Sequence, residues 1–257
     1  MEEPHLSAAT RRGRVVDTAC QALDIGLAPR PTSGLAHSPC RPCQVLPGDS
    51  PTALLLLSLV PVAAGLVRLI GLAASRGGGG GGGAITPENE RFMAMPSPVV
   101  LHIVSATVFC LLGAFQFDSA FRRRSPGLHR AAGRVLVPCG ILAALTGLWM
   151  TAGYDIPAEL QGPFLYGVRI AVGLSMALAI LVSVRAVLRR RIAQHRAWML
   201  RAYALGQGAG TQVLILLPVT LIAGAPTFFF RDVLMASAWG LNVLFAEWII
   251  RRRLTSI

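Results

Sequence analysis

Six apolar blocks of about 20 residues, at 52–73, 98–117, 135–153, 164–187, 198–223 and 229–250, leave this chain few folds to choose from. A helix of that length crosses the ~30 Å hydrocarbon core of a bilayer. In lipid every backbone N–H and C=O must be satisfied internally, so a segment of this kind spans as a helix. The blocks are continuous rather than alternating, and only 14% of the residues are charged, well below the roughly 25% of soluble domains. The sequence therefore predicts an all-α, polytopic transmembrane bundle of about six helices.

The basic residues orient that bundle. All 24 are arginine. Five precede the first block, five lie at 122–134, six at 185–201 and three at 251–253, whereas Arg68, Arg76, Arg91 and Arg231 flank the alternate loops and Arg169 falls inside a span. Arginine accumulates on the cytoplasmic side. The expectation is a bacterial plasma-membrane protein with both termini and both arginine-rich loops inside. The net charge of +12 then calls for anionic lipid head groups as partners rather than nucleic acid.

Residues 1–50, rich in Pro, Arg, Ser and Ala, read as a disordered cytoplasmic leader, and too much charge precedes the apolar stretch for a secretory signal. Within them, Cys40 and Cys43 have C-x-x-C spacing near His37, but no second pair accompanies them, so the metal signal is weak. Cys110 and Cys139 fall inside spans and read as small core residues. The first transmembrane helix, 52–73, is followed by an outer tether at 74–90 that contains the run Gly77–Gly83. A glycine run is a flexible linker. The core module is therefore expected at 91–253, with five helices and the first helix loosely attached.

Two segments look like copies. Arg122-Arg123-Arg124 is followed by His129-Arg130 and Arg134; Arg189-Arg190-Arg191 is followed by His195-Arg196 and Arg201. The triplets are offset by 67 residues, and the same offset carries His102 onto Arg169. This suggests two helical hairpins repeated in parallel about an axis along the membrane normal. His129 and His195 would then meet at the cytoplasmic edge, with His102 and Arg169 at the same depth near the outer face. At 1.5 Å per residue, His102 lies about 24 Å along its helix from Asp118, so it cannot share a metal ion with the other pair. Ionisable groups inside a membrane are candidate functional residues, which makes His129, His195, His102 and Arg169 candidate cofactor-binding residues. The plain alternatives are helix packing, snorkelling of Arg169 to the outer head groups, or its pairing with Asp155, Glu159 or Asp232.

The fifth block is the most polar. Arg201, Tyr203, Gln207, Thr211 and Gln212 interrupt it, and Gly206, Gly208 and Gly210 permit close approach of another backbone. Tyr203, Gln207 and Thr211 are four apart and share a face of a continuous helix. Glu247 in the sixth block could neutralise Arg201 or Arg134, since a carboxylate inside a membrane needs a partner. No Ser-His-Asp set, H-E-x-x-H string, P-loop or dinucleotide fingerprint is present. No catalytic residue is nominated, and an ordinary enzyme is not indicated.

From residue 91 onward the chain resembles a known family. Arg91-Phe92, His102-Ile103, Gly113-Ala-Phe-Gln116-Phe117, His129-Arg130-x-x-Gly133-Arg134, His195-Arg196-x-Trp198-Met199-x-Arg201-x-Tyr203 and Asn242-x-x-x-x-Glu247-Trp-Ile-Ile occur in order. They are similar to the bacterial multi-pass membrane proteins catalogued as domain of unknown function 2306. The resemblance implies a helical membrane fold and leaves the activity open. Three readings follow: a helical membrane module without chemistry of its own, working as scaffold, assembly partner or regulatory subunit; a carrier of haem b, with imidazoles on iron and arginines at the propionates; and a small-molecule or proton pathway along the fifth helix. Homo- and hetero-oligomers are both compatible with the first.

Overall fold

Four of the long helices open on proline, which is pre-organised for the first helical position because its missing N–H would have no intrahelical partner there. A computed structural model describes residues 51–76 and 90–254. Its helices are α1 (Pro51–Arg76), α2 (Glu90–Ala94), α3 (Pro96–Gln116), α4 (Ser119–Arg124), α5 (Pro126–Gly153), α6 (Pro163–Leu188), α7 (Ile192–Gly206), α8 (Gly208–Ala223) and α9 (Phe228–Leu254). No strand occurs among the described residues. The leader at 1–50, with its C-x-x-C, and the polyglycine run lie outside the described residues.

Five helices are individually long and apolar enough to cross a membrane, and α7 with α8 makes a sixth span bent by 41°. The burial pattern is that of a protein solvated by lipid. Fully buried positions are mostly small, including Ser58, Ala114, Ala179, Ser183, Ala202 and Ala238, whereas Leu178, Leu181, Leu214, Leu221, Ile222, Leu244 and Phe245 face outward. Apolar exteriors are no penalty against lipid tails, and small residues let helix backbones approach. A water-soluble domain could not leave so continuous an apolar surface uncovered.

The chain winds as successive neighbours: α3 packs along α5, α5 along α6, and α6 along α7, while α9 closes the bundle against α8, α7 and α6. The first helix is not peripheral. It packs on α3 and α8, and an added Cβ at Gly65 would stand 2.8 Å from Ile103 Cγ2 on α3. The core gathers Phe109, Leu136, Met176, Ile180 and Tyr203 around small alanines.

Two boundaries differ from the sequence expectation. The third span begins at Pro126 rather than near 135, so the His129–Arg134 stretch is the helical first turns of α5. The fifth span is broken at Gln207, where Gly206 and Gly208 flank the bend. Glycine has the lowest helix propensity after proline, and such sites are where helices kink. Each of these glycines is required by close packing. A Cβ at Gly206 would lie 2.8 Å from Phe109, one at Gly208 would enter the Trp239 ring, and one at Gly210 would meet the Leu57 carbonyl of α1.

The two hairpins correspond locally. His129 is the fourth residue of α5 and His195 the fourth of α7, each donating its backbone N–H at 3.0 Å to the carbonyl just outside its helix, Ser125 and Arg191 respectively. The connections are unlike. The first contains α4, capped by the Asp118 carboxylate accepting from Ala120 N–H at 2.8 Å, and the second is a tight turn with Arg190 at φ 59°.

Candidate functional site

Polar side chains inside the bundle gather at three depths. The central group joins three helices. Tyr203 on α7 donates its hydroxyl to the Cys110 carbonyl of α3 at 2.8 Å. Gln207, at the helix break, donates from Nε2 to the Tyr203 hydroxyl at 2.6 Å and to Ser58 Oγ of α1 at 2.8 Å. Ser58, Tyr203 and Gln207 are all buried. Thr211 does not continue this face. Beyond the bend it turns to α9, where its hydroxyl bonds Asn242 Oδ1 at 2.9 Å, and Asn242 Nδ2 donates to the Ala204 carbonyl at 3.1 Å. The 41° break separates positions that an unbroken helix would align.

At the end that carries the arginine triplets, Arg201 and Glu247 form a two-pronged ion pair, Nε to Oε1 at 2.5 Å and Nη2 to Oε2 at 3.0 Å. It is the one salt bridge among the described residues. The guanidinium also lies over the Trp198 ring at 4.6 Å. A planar fork of this kind suits a carboxylate held away from water. Arg134 is exposed at the start of α5, so Arg201 and not Arg134 is the partner of Glu247.

The two histidines that follow the arginine triplets differ. His195 Nδ1 is within 3.1 Å of the Ser183 carbonyl and 2.8 Å of its hydroxyl. Both contacts hold the imidazole against α6. His129 Nδ1 is buried without a hydrogen-bond partner, as is Gln116 Nε2. The fixed charges within electrostatic reach of His129 are Arg122 and Arg196.

His102 and Arg169 have separate partners. His102 Nδ1 meets the Ala143 carbonyl at 3.0 Å and the Thr146 hydroxyl at 3.2 Å, both on α5. Arg169 Nη1 donates to Gln161 Oε1 at 2.5 Å, and Arg231, Asp232 and Arg91 are the charges around it. Asp232 is itself buried and accepts from Gly162 N–H at 3.2 Å, at the start of α6. No hydrogen bond joins His102 to Arg169 among the described residues. Ser58, Thr146, Gln161 and Ser183 escaped sequence reading because a lone small polar residue in a span carries no signal of the partner it will meet.

No cluster of three or more His, Cys, Asp or Glu suited to a metal ion occurs among the described residues. Lipid-facing exterior, small-residue interior and paired intramembrane polar groups define a polytopic helical membrane protein. Residues 99–250 match the family described as Predicted membrane protein (DUF2306), and the chain belongs to it. No curated protein and no solved structure matches the chain.

Proposed function

We propose that the chain is a helical membrane module without chemistry of its own, acting as a scaffold or assembly subunit of the bacterial plasma membrane. One observation carries this reading: six of the polar side chains within the spans are engaged with neighbouring helices. His102 ties α3 to α5, His195 ties α7 to α6, Tyr203 and Gln207 tie α7 to α3 and α1, Asn242 ties α9 to α7 and α8, and Glu247 ties α9 to α7. Each such bond contributes on the order of 0.6 kcal/mol, at most about 2, so their worth lies in number and in fixing register.

A second reading, a haem-bearing module, has its own support in the unpartnered Nδ1 of His129 and in arginines able to meet propionates. Visible absorbance decides between the two. The scaffold reading expects protein purified from haem-supplied cells to show no Soret band and no iron. A Soret band that disappears in His129→Ala and His195→Ala would replace it with the second.

The orientation rests on the distribution of arginine. In a cysteine-free background, Ala158→Cys in the loop after α5 is expected to react with an impermeant thiol reagent in intact cells, and Ala131→Cys near the start of α5 is not. The reverse pattern would invert the topology.

A further inference from the structure

The first helix is held differently from the others. Its buried residues are Ser58, Gly65 and Leu72, seven apart, so α1 meets the bundle along one narrow seam. Leu56, Leu59, Leu66, Val67 and Ile70 face outward. Its neighbours are α3 and α8. The family match, 99–250, takes in both walls of this seat but not α1 itself. In sequence α1 is joined to the core through residues 77–89, which include seven consecutive glycines.

The seat is shaped for a helix backbone and makes one polar demand. On α8, a Cβ at Gly210 would meet the Leu57 carbonyl oxygen, so α1 lies directly against that glycine. On the α3 side, a Cβ at Gly65 would stand 3.8 Å from Ile103 Cβ. Between these contacts Gln207 donates from Nε2 to Ser58 Oγ at 2.8 Å. Lipid acyl chains could fill the notch at Gly210, but they offer no acceptor to an amide, and an unsatisfied donor in hydrocarbon is costly. The seat therefore calls for a helix with a hydroxyl and a small residue seven positions apart, as Ser58 and Gly65 are in α1.

We propose that this seat is also a docking surface between copies of the chain: α1 of one molecule enters the α3–α8 groove of a second, so that two chains exchange their first helices. The contacts are the same in either arrangement, and only the connection differs. A glycine-rich linker gives a helix an effective concentration in the millimolar range at its own seat, a finite preference for its own chain. Fully extended, residues 77–89 reach about 45 Å, several helix diameters. Exchange of an identical element is a low-cost route to a dimer. The inference names a second copy as the partner in the assembly reading and rests on it, yet the tests separate: absorbance decides that reading, and cross-linking decides the exchange.

The test uses the full chain in its membrane, in a cysteine-free background. Gly65→Cys and Ile103→Cys in one molecule place Cβ atoms at the usual spacing of a disulfide, so a bond within the chain is expected. Its absence would remove the seat and the proposal with it. Two differently tagged copies, one with Gly65→Cys and the other with Ile103→Cys, are then co-expressed and mildly oxidised, and a covalent dimer is expected. Val67→Cys, 71% exposed, paired with Ile103→Cys measures chance collision. No dimer, or a yield equal to that of the collision pair, would overturn the exchange. Gly210→Val on the Ile103→Cys copy obstructs the receiving seat and should lower the dimer yield roughly tenfold. On the Gly65→Cys copy it frees that copy's own α1 and should not lower the yield. Equal losses from either side would overturn the proposal. If the Gly210→Val copies do not fold, Ser58→Ala on the Gly65→Cys copy carries the comparison: a roughly threefold fall is expected, and an unchanged yield would count against the seat.

Discussion

Gly210→Val is expected to destabilise the folded protein in detergent by about 3 kcal/mol, a fall in Tm of roughly 6–12 °C for a domain of this size. The reason is the backbone of another helix. A Cβ on Gly210 meets the Leu57 carbonyl oxygen of α1 and comes within 2.9 Å of Leu57 Cγ. A side chain could rotate away, but a carbonyl inside a helix cannot without moving the helix. Displacing α1 would also draw Ser58 from Gln207 and leave polar atoms unpartnered in an apolar interior. Gly167→Val is the control, since nothing stands within 4 Å of a Cβ there. Thermal unfolding of the two variants side by side checks the prediction, and equal, small shifts would mean that α1 does not pack where the structure has it.

The second large effect is expected at Glu247. Glu247→Gln removes the charge that Arg201 faces while leaving the guanidinium among α7, α9 and the Trp198 ring. Breaking a buried pair from one side costs about 3–5 kcal/mol. The two side chains here are 27% and 29% exposed, so a loss of about 2 kcal/mol is the expectation. The unpaired cation would draw α7 and α9 apart, and monodisperse protein in detergent should decrease with the loss in Tm.

Much of the architecture was legible because lipid imposes a length. An apolar run of twenty residues has one use, and the structure's spans overlap all six blocks. What sequence did not disclose depended on partners remote along the chain. Ser58 and Gln207 are 149 residues apart, and the polyglycine run beside α1 argued for a loosely held helix where packing made an integral one. The three glycines of the fifth block were visible as places for close approach, but the bend they allow, and the turning of Thr211 from Tyr203 toward Asn242, came from packing against Trp239 and Leu57. The arginine repeat drew attention to His129 and His195 but placed them in loops, whereas each is the fourth residue of its helix. It said nothing of Ser183, the residue that partners His195.

The central claim is that polar groups in these spans hold helices together by pairing with each other. It is tested most directly by a double-mutant cycle at Arg201 and Glu247, with Arg201→Met and Glu247→Met made singly and together. If the pair is structural, each single variant loses stability and the double variant regains most of it, because two apolar side chains of similar volume replace a half-buried ion pair at little cost. A double variant as unstable as the sum of the singles would contradict the account.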